Sequence, residues 1–289
     1  MLASSIPPAA AQVLYLCFFV LAYRMKLFTP LPWISSLRPL NLGFLALAAW
    51  IVSPFMLGSP LFACLLMLML MGNLHNDLRD FRADALNRPN TNPFQSKENR
   101  RLGVLLLFLG FALFLIFLGM VDSTPQVLGL VALALALWLY NSWLQYFPLL
   151  GNAWLSSIMA FCMFLLIHTG PLQLQQKMWA YTAVALVHFA RELVKSLQDQ
   201  AGDAQHKPLR YSPPPVWLYR LLAALSLLGL SALSYFLWRS QTSPVIFGMA
   251  FVLPLPFVLF DRNYKRLSFL LKAFMLLGLL ILYLCYLRP

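Results

Sequence analysis

Acid is scarce in this chain. Of its 289 residues, nine are Asp or Glu against twenty-one Lys or Arg, and charged residues make up only 10% of the sequence. A soluble domain carries roughly 25%, so the composition excludes an ordinary water-soluble globule. Cysteine is rarer still. Cys17, Cys64, Cys162 and Cys285 lie singly in apolar runs, which excludes a disulfide framework and a CxxC-type zinc site. The first apolar run, residues 9–23, follows Pro7 and Pro8 and lacks the basic flank of a signal peptide.

What the chain has in abundance is apolar length. Hydrophobic residues are 61% of it, and its mean hydropathy is +0.74. Runs of about twenty apolar residues, enough to cross a hydrocarbon core roughly 30 Å thick, recur throughout. Nine spans are predicted, near residues 40–57, 60–77, 102–121, 125–144, 152–169, 178–197, 216–238, 244–260 and 267–287. Lipid offers backbone N–H and C=O groups no partners, so each run reads as a helix, and the chain as an all-α, polytopic membrane protein. We expect one transmembrane domain over 1–289, with 1–37 as an N-terminal accessory or interfacial segment whose 9–23 helix is too short to span. Pro254 and Pro256 are expected to kink the eighth span.

Basic residues report orientation in such a chain. With the loop after residue 77 on the cytoplasmic side, only Lys177, Arg239 and Arg288 fall on the opposite side, and the other eighteen of twenty-one lie inside. The net charge of +12 is thereby explained without nucleic acid as a partner.

Six of the nine acids fall in two short segments on that same side: Asp77, Asp80 and Asp84, then Glu192, Asp199 and Asp203. Asn76, Asp80 and Asp84 are four apart, as are Asp199 and Asp203, so on continuing helices each set lines one face. Like charges so placed repel, by about 0.2–0.5 kcal/mol per exposed pair and by more beside a low-dielectric membrane. A hard cation relieves the conflict, and magnesium commonly joins one or two carboxylates to a substrate's phosphates. A solvated loop face would explain either segment alone; two such segments on one side favour a shared site. His75 and His188 sit near them at span ends and read as hydrogen-bonded structural residues.

The stretch NDLRDFRADALNRP, residues 76–89, resembles the first signature of the UbiA superfamily of intramembrane prenyltransferases, NDxxDxxxD followed by a basic residue and proline. RELVKSLQDQAGD, residues 191–203, resembles the second, REIxKDxxDxxGD, with Ser196 where that pattern has aspartate. LRPLN at 37–41 and YNSWLQYFPLLGN at 140–152 agree in order and spacing. The resemblance implies a nine-helix bundle around a central cavity, capped by the two acidic segments. It implies Asp80, Asp84, Asp199 and Asp203 as the catalytic and metal-binding acids, with Asn76 and Asp77 assisting at Mg2+, and Asn76, Arg88 and Lys195 at the diphosphate. Arg191 and Glu192 would pair or orient the second segment.

The implied donor is a polyprenyl diphosphate, and the implied setting is a multi-pass protein of a bacterial inner (plasma) membrane with its site facing the cytoplasm. Motif wording leans to the branch that prenylates geranylgeranylglycerol phosphate. An aromatic acceptor of quinone synthesis, such as 4-hydroxybenzoate or dihydroxynaphthoate, is the alternative. A transporter or non-catalytic isoprenoid-binding protein is the reading from another class, and it suits poorly a set of charges gathered at one surface instead of at mid-depth. An alcohol phosphotransferase is excluded by the lack of DGxxAR.

Overall fold

The computed structural model describes residues 36–87, 89, 91–168, 173–206, 213–238 and 250–286. Everything regular among them is helical. Proline and serine punctuate the first elements. Helix α1, Pro39–Val52, opens on a proline and stops where Ser53, preceding Pro54, turns extended (φ −167°, ψ 132°), as the residue before a proline prefers. A 3-10 turn, Pro54–Gly58, follows. Helix α2, Pro60–Asn87, starts where the Ser59 hydroxyl accepts from the Phe62 amide at 3.2 Å. Helix α3, Lys97–Leu118, is capped by Ser96, whose Oγ accepts from the Asn99 amide at 3.1 Å.

The remaining helices are α4, Thr124–Ser142; α5, Pro148–Ile167; α6, Leu174–His206; α7, Val216–Trp238; α8, Leu255–Phe260; and α9, Tyr264–Tyr286. Five are long and apolar enough to cross a membrane: α2, α3, α4, α5, and α7 over Val216–Tyr235. These answer to the predicted spans at 60–77, 102–121, 125–144, 152–169 and 216–238. The first predicted span meets the 14-residue α1, cut short at Pro54. The sixth and ninth meet helices, of which α6 carries too many charges to count by apolarity. The described part of the eighth is a 3-10 turn, Ala250–Val252, then α8 after Pro254, a sharper interruption than a kink. The N-terminal 9–23 run lies outside the described residues.

The chain divides into two compact units, residues 1–134 and 135–289. In the first, α2 packs on α3 so closely that a Cβ on Gly103 would stand 2.8 Å from Cδ2 of Leu78. Most other apolar side chains of α3, Phe108 and Ile116 among them, are exposed, as suits a helix surrounded by lipid. In the second unit, Ala190, Leu193, Val194 and Leu197 form an i, i+3, i+4, i+7 stripe on α6. They are buried against Tyr219, Ala223 and Leu227 of α7 and Leu267 and Leu271 of α9. Trp179 Nε1 donates to Ser234 Oγ at 3.0 Å, a polar link between α6 and α7. The Arg220 guanidinium ties α7 to the start of α9, donating to the Asp261 carbonyl at 3.0 Å and to the Tyr264 hydroxyl at 3.2 Å.

Candidate functional site

Two of the helices are longer than a bilayer crossing requires. At 1.5 Å per residue the 28 residues of α2 extend about 42 Å and the 33 of α6 about 50 Å, beyond a core of roughly 30 Å. Counted from Pro60, the surplus on α2 holds Asp80 and Asp84, with Asp77 at its edge. On α6 the C-terminal turns hold Asp199 and Asp203.

In the first unit every described acid of the segment is held by side chains. Asn76 Nδ2 donates to Asp80 Oδ2 at 3.1 Å, one turn on, so the i, i+4 face expected from spacing is present. Asp84 is buried, and Asn92, 5% exposed, donates to its Oδ2 at 2.9 Å. The same Asn92 amide donates to the Asp77 carbonyl at 2.8 Å, and its Oδ1 accepts from the Phe94 amide at 2.9 Å. Its orientation is therefore dictated: the flipped amide would turn an acceptor toward a carboxylate and a carbonyl. Asp77, expected among the metal ligands, is engaged elsewhere. Its Oδ1 accepts from Arg38 Nη2 at 2.9 Å, a buried carboxylate neutralised by the residue that precedes α1. Gln95 and Arg100 complete the strap on the far side of the turn, donating to the Phe81 and Phe94 carbonyls at 2.9 Å and 3.1 Å. Arg88 lies outside the described residues.

In the second unit Asp199 and Asp203 are both buried on α6. Counting 100° per residue, Glu192, Ser196, Asp199 and Asp203 occupy one stripe on the side of α6 away from its apolar stripe. Arg191 and Glu192 form an ion pair, and Lys195 Nζ stands 3.9 Å from Glu192 Oε2, so the pairing expected of these neighbours is present and places two cations beside the acids. Ser196 is bonded to Asn152 of α5: the amide Nδ2 lies 3.0 Å and Oδ1 3.2 Å from Oγ. Arg38, Asn92 and Asn152 are contacts that spacing along the chain did not reveal. The one local signal was Asn92-Pro93, which reads as a turn whose side chain bonds backbone two residues on.

A metal fits this donor set by chemistry, since all of it is carboxylate or amide oxygen, the ligand type of magnesium. Among the described residues no three His, Cys, Asp or Glu side chains converge to hold an ion alone. Two carboxylates per segment match instead the habit of magnesium, which takes one or two from protein and the rest from substrate phosphate and water.

The profile of the UbiA prenyltransferase family matches residues 36–280. This chain belongs to that family. It is thus an integral-membrane prenyltransferase, an enzyme that moves a prenyl group from a diphosphate donor to an acceptor. The chain is 29% identical to the digeranylgeranylglyceryl phosphate synthase of Methanospirillum hungatei over 71% of its length and 78% of the relative's. It is 26% identical to that of Korarchaeum cryptofilum over 77% and 84%. A solved structure, described as giving structural and mechanistic insights into the biosynthesis of digeranylgeranylglyceryl phosphate synthase in membranes, superposes with TM-score 0.62. It covers 96% of this chain and all of that one at 17% identity. At that identity the likeness concerns the fold alone.

Proposed function

We propose that this prenyltransferase transfers a geranylgeranyl group from its diphosphate to the hydroxyl of geranylgeranylglycerol phosphate, a step of ether-lipid synthesis. The observation that carries the site is the pair of prolonged helices, each bearing two aspartates within one or two turns, Asp80 and Asp84 on α2 and Asp199 and Asp203 on α6. The acceptor rests on the relatives, which are named for a digeranylgeranylglyceryl phosphate product.

In this reading Asp80, Asp84, Asp199 and Asp203, helped by Asn76, hold Mg2+, which when bound neutralises the diphosphate as it departs. Lys195 shares that charge from α6, and Arg88 does so from beyond α2. Asp77, with one oxygen on Arg38, anchors α2 and takes at most an assisting part at the metal. The C1–oxygen bond of the donor breaks with its electron pair leaving on the diphosphate, and the acceptor hydroxyl bonds to C1 as its proton is lost. Apolar helix faces keep water from the allylic cation in between. The lopsided basic residues support a nine-span bundle with an N-terminal accessory helix, in a plasma membrane with both acidic segments toward the cytoplasm.

The test is incubation of the purified protein with labelled geranylgeranyl diphosphate and a panel of acceptors. The expected result is one Mg2+-dependent product, formed on geranylgeranylglycerol phosphate. Product on 4-hydroxybenzoate or dihydroxynaphthoate instead would move the chain to the aromatic branch. No product with any acceptor would return it to non-catalytic isoprenoid binding.

A further inference from the structure

The polar bond between α5 and α6 is unused in the mechanism above. We propose that Asn152 is a positioning residue: through Ser196 it sets the rotation of α6 about its own axis, and with it the direction in which Asp199 and Asp203 point. The proposal rests on the assignment of those two aspartates to the diphosphate site.

Four observations bear on it. Asn152 Nδ2 and Oδ1 lie 3.0 Å and 3.2 Å from Ser196 Oγ, inside one compact unit. Ser196 precedes Asp199 by three residues and Asp203 by seven, which puts it within about 60° and 20° of them around the helix. Asn152 is 6% exposed and sits on a firm base. Its carbonyl accepts from Ser156 Oγ at 2.6 Å, and a Cβ on its neighbour Gly151 would stand 2.7 Å from the Leu144 carbonyl oxygen, so the start of α5 is pressed against the turn before it. Last, what holds the other side of α6 near the acids is alanine, leucine and valine, the Trp179–Ser234 bond lying twenty residues before Asp199.

Those contacts alone do not fix direction. Apolar burial is non-directional and tolerates a roll of the helix, whereas a hydrogen bond weakens steeply as its angle falls. The amide–hydroxyl pair supplies an angular restraint close to the two aspartates. Being neutral, it does so without adding a charge beside two carboxylates.

The experiment uses the full-length protein in detergent with Mn2+ and inorganic diphosphate as probe, titrated by electron paramagnetic resonance, beside steady-state kinetics. Asn152→Ala and Ser196→Ala should each weaken Mn2+ binding about 10-fold, as loss of outer supports does, and should raise KM for the prenyl diphosphate. The double variant should be no worse than either single one, because both remove the same bond. Ser196→Thr, which keeps a hydroxyl, should restore binding. Variants that melt lower but bind Mn2+ as the parent does, or two losses that add, would overturn the positioning role and leave the site assignment standing. A parent protein that binds no Mn2+ even with diphosphate present would overturn the site assignment and this role together.

Discussion

Arg38 neutralises Asp77 from 39 positions away, Nη2 to Oδ1 at 2.9 Å. It does so from left-handed backbone, φ 50° and ψ 60°, directly before Pro39. That conformation costs a non-glycine residue about 1–3 kcal/mol, so the tertiary contacts must over-determine it. They include the ion pair itself and the Arg38 carbonyl, which accepts the Asn41 amide at 2.8 Å as α1 begins.

Removing the arginine side chain should therefore be costly, since alanine keeps the left-handed strain and loses the ion pair. Arg38→Ala leaves a buried carboxylate uncompensated and should lower stability by about 1–3 kcal/mol, read as a lower melting temperature in detergent. Adding Asp77→Ala to it should cost less than the sum of the two single losses. Strict additivity in that double-mutant cycle would mean that the pair contributes nothing as a pair.

The acids assigned to metal should behave differently from Asp77. Asp80→Asn and Asp203→Asn should each abolish transfer while the protein stays folded, and chelation by EDTA should stop the parent enzyme until Mg2+ is returned. Near-normal turnover in both variants would sink the mechanism.

Asn92 offers a test with a sign. Asn92→Ala removes a donor from Asp84 and should weaken metal binding about 10-fold. Asn92→Asp keeps the shape but sets a second carboxylate against Asp84, and like charges repel. The aspartate should be the more damaging of the two, both in metal titration and in melting temperature. Equal effects would mean that Asp84 does not depend on the charge at this contact.

Packing beneath the first segment can be probed without touching it. At Gly103 a side-chain carbon would meet Phe94 Cε1 at 2.6 Å and Leu78 Cδ2 at 2.8 Å. Phe94 is fully buried and has nowhere to retreat. Gly103→Val should cost about 1–3 kcal/mol as an overpacked core does, with Gly103→Ala milder, compared by thermal melts.

Much of this arrangement was legible along the chain because it is local. Acids four apart and an apolar run before them suffice to predict a helix that leaves the bilayer carrying an acidic face, and α2 does so with the Asn76–Asp80 bond in place. What could not be read is tertiary. Asn152 meets Ser196 across 44 positions and Asn92 meets Asp84 across 8, through a turn whose path no periodicity describes. Read alone, Ser196 is only a departure from the aspartate of the family pattern. Beside Asn152 it is half of a hydrogen bond. Span lengths were overread wherever proline follows serine or leucine: hydropathy averages across Ser53-Pro54 and Leu253-Pro254, while backbone sterics end the helix at the first and break it at the second.

The strap joining Asn92, Gln95 and Arg100 to α2 also orders events during synthesis. All of the partners that hold Asp77 and Asp84 described above, from Arg38 to Asn92, leave the ribosome before the second unit begins. At the usual 5–20 residues per second, Asp203 follows Asp84 by about 6–24 s. Through that interval the first unit needs nothing from downstream to give Asp77 and Asp84 the partners described here.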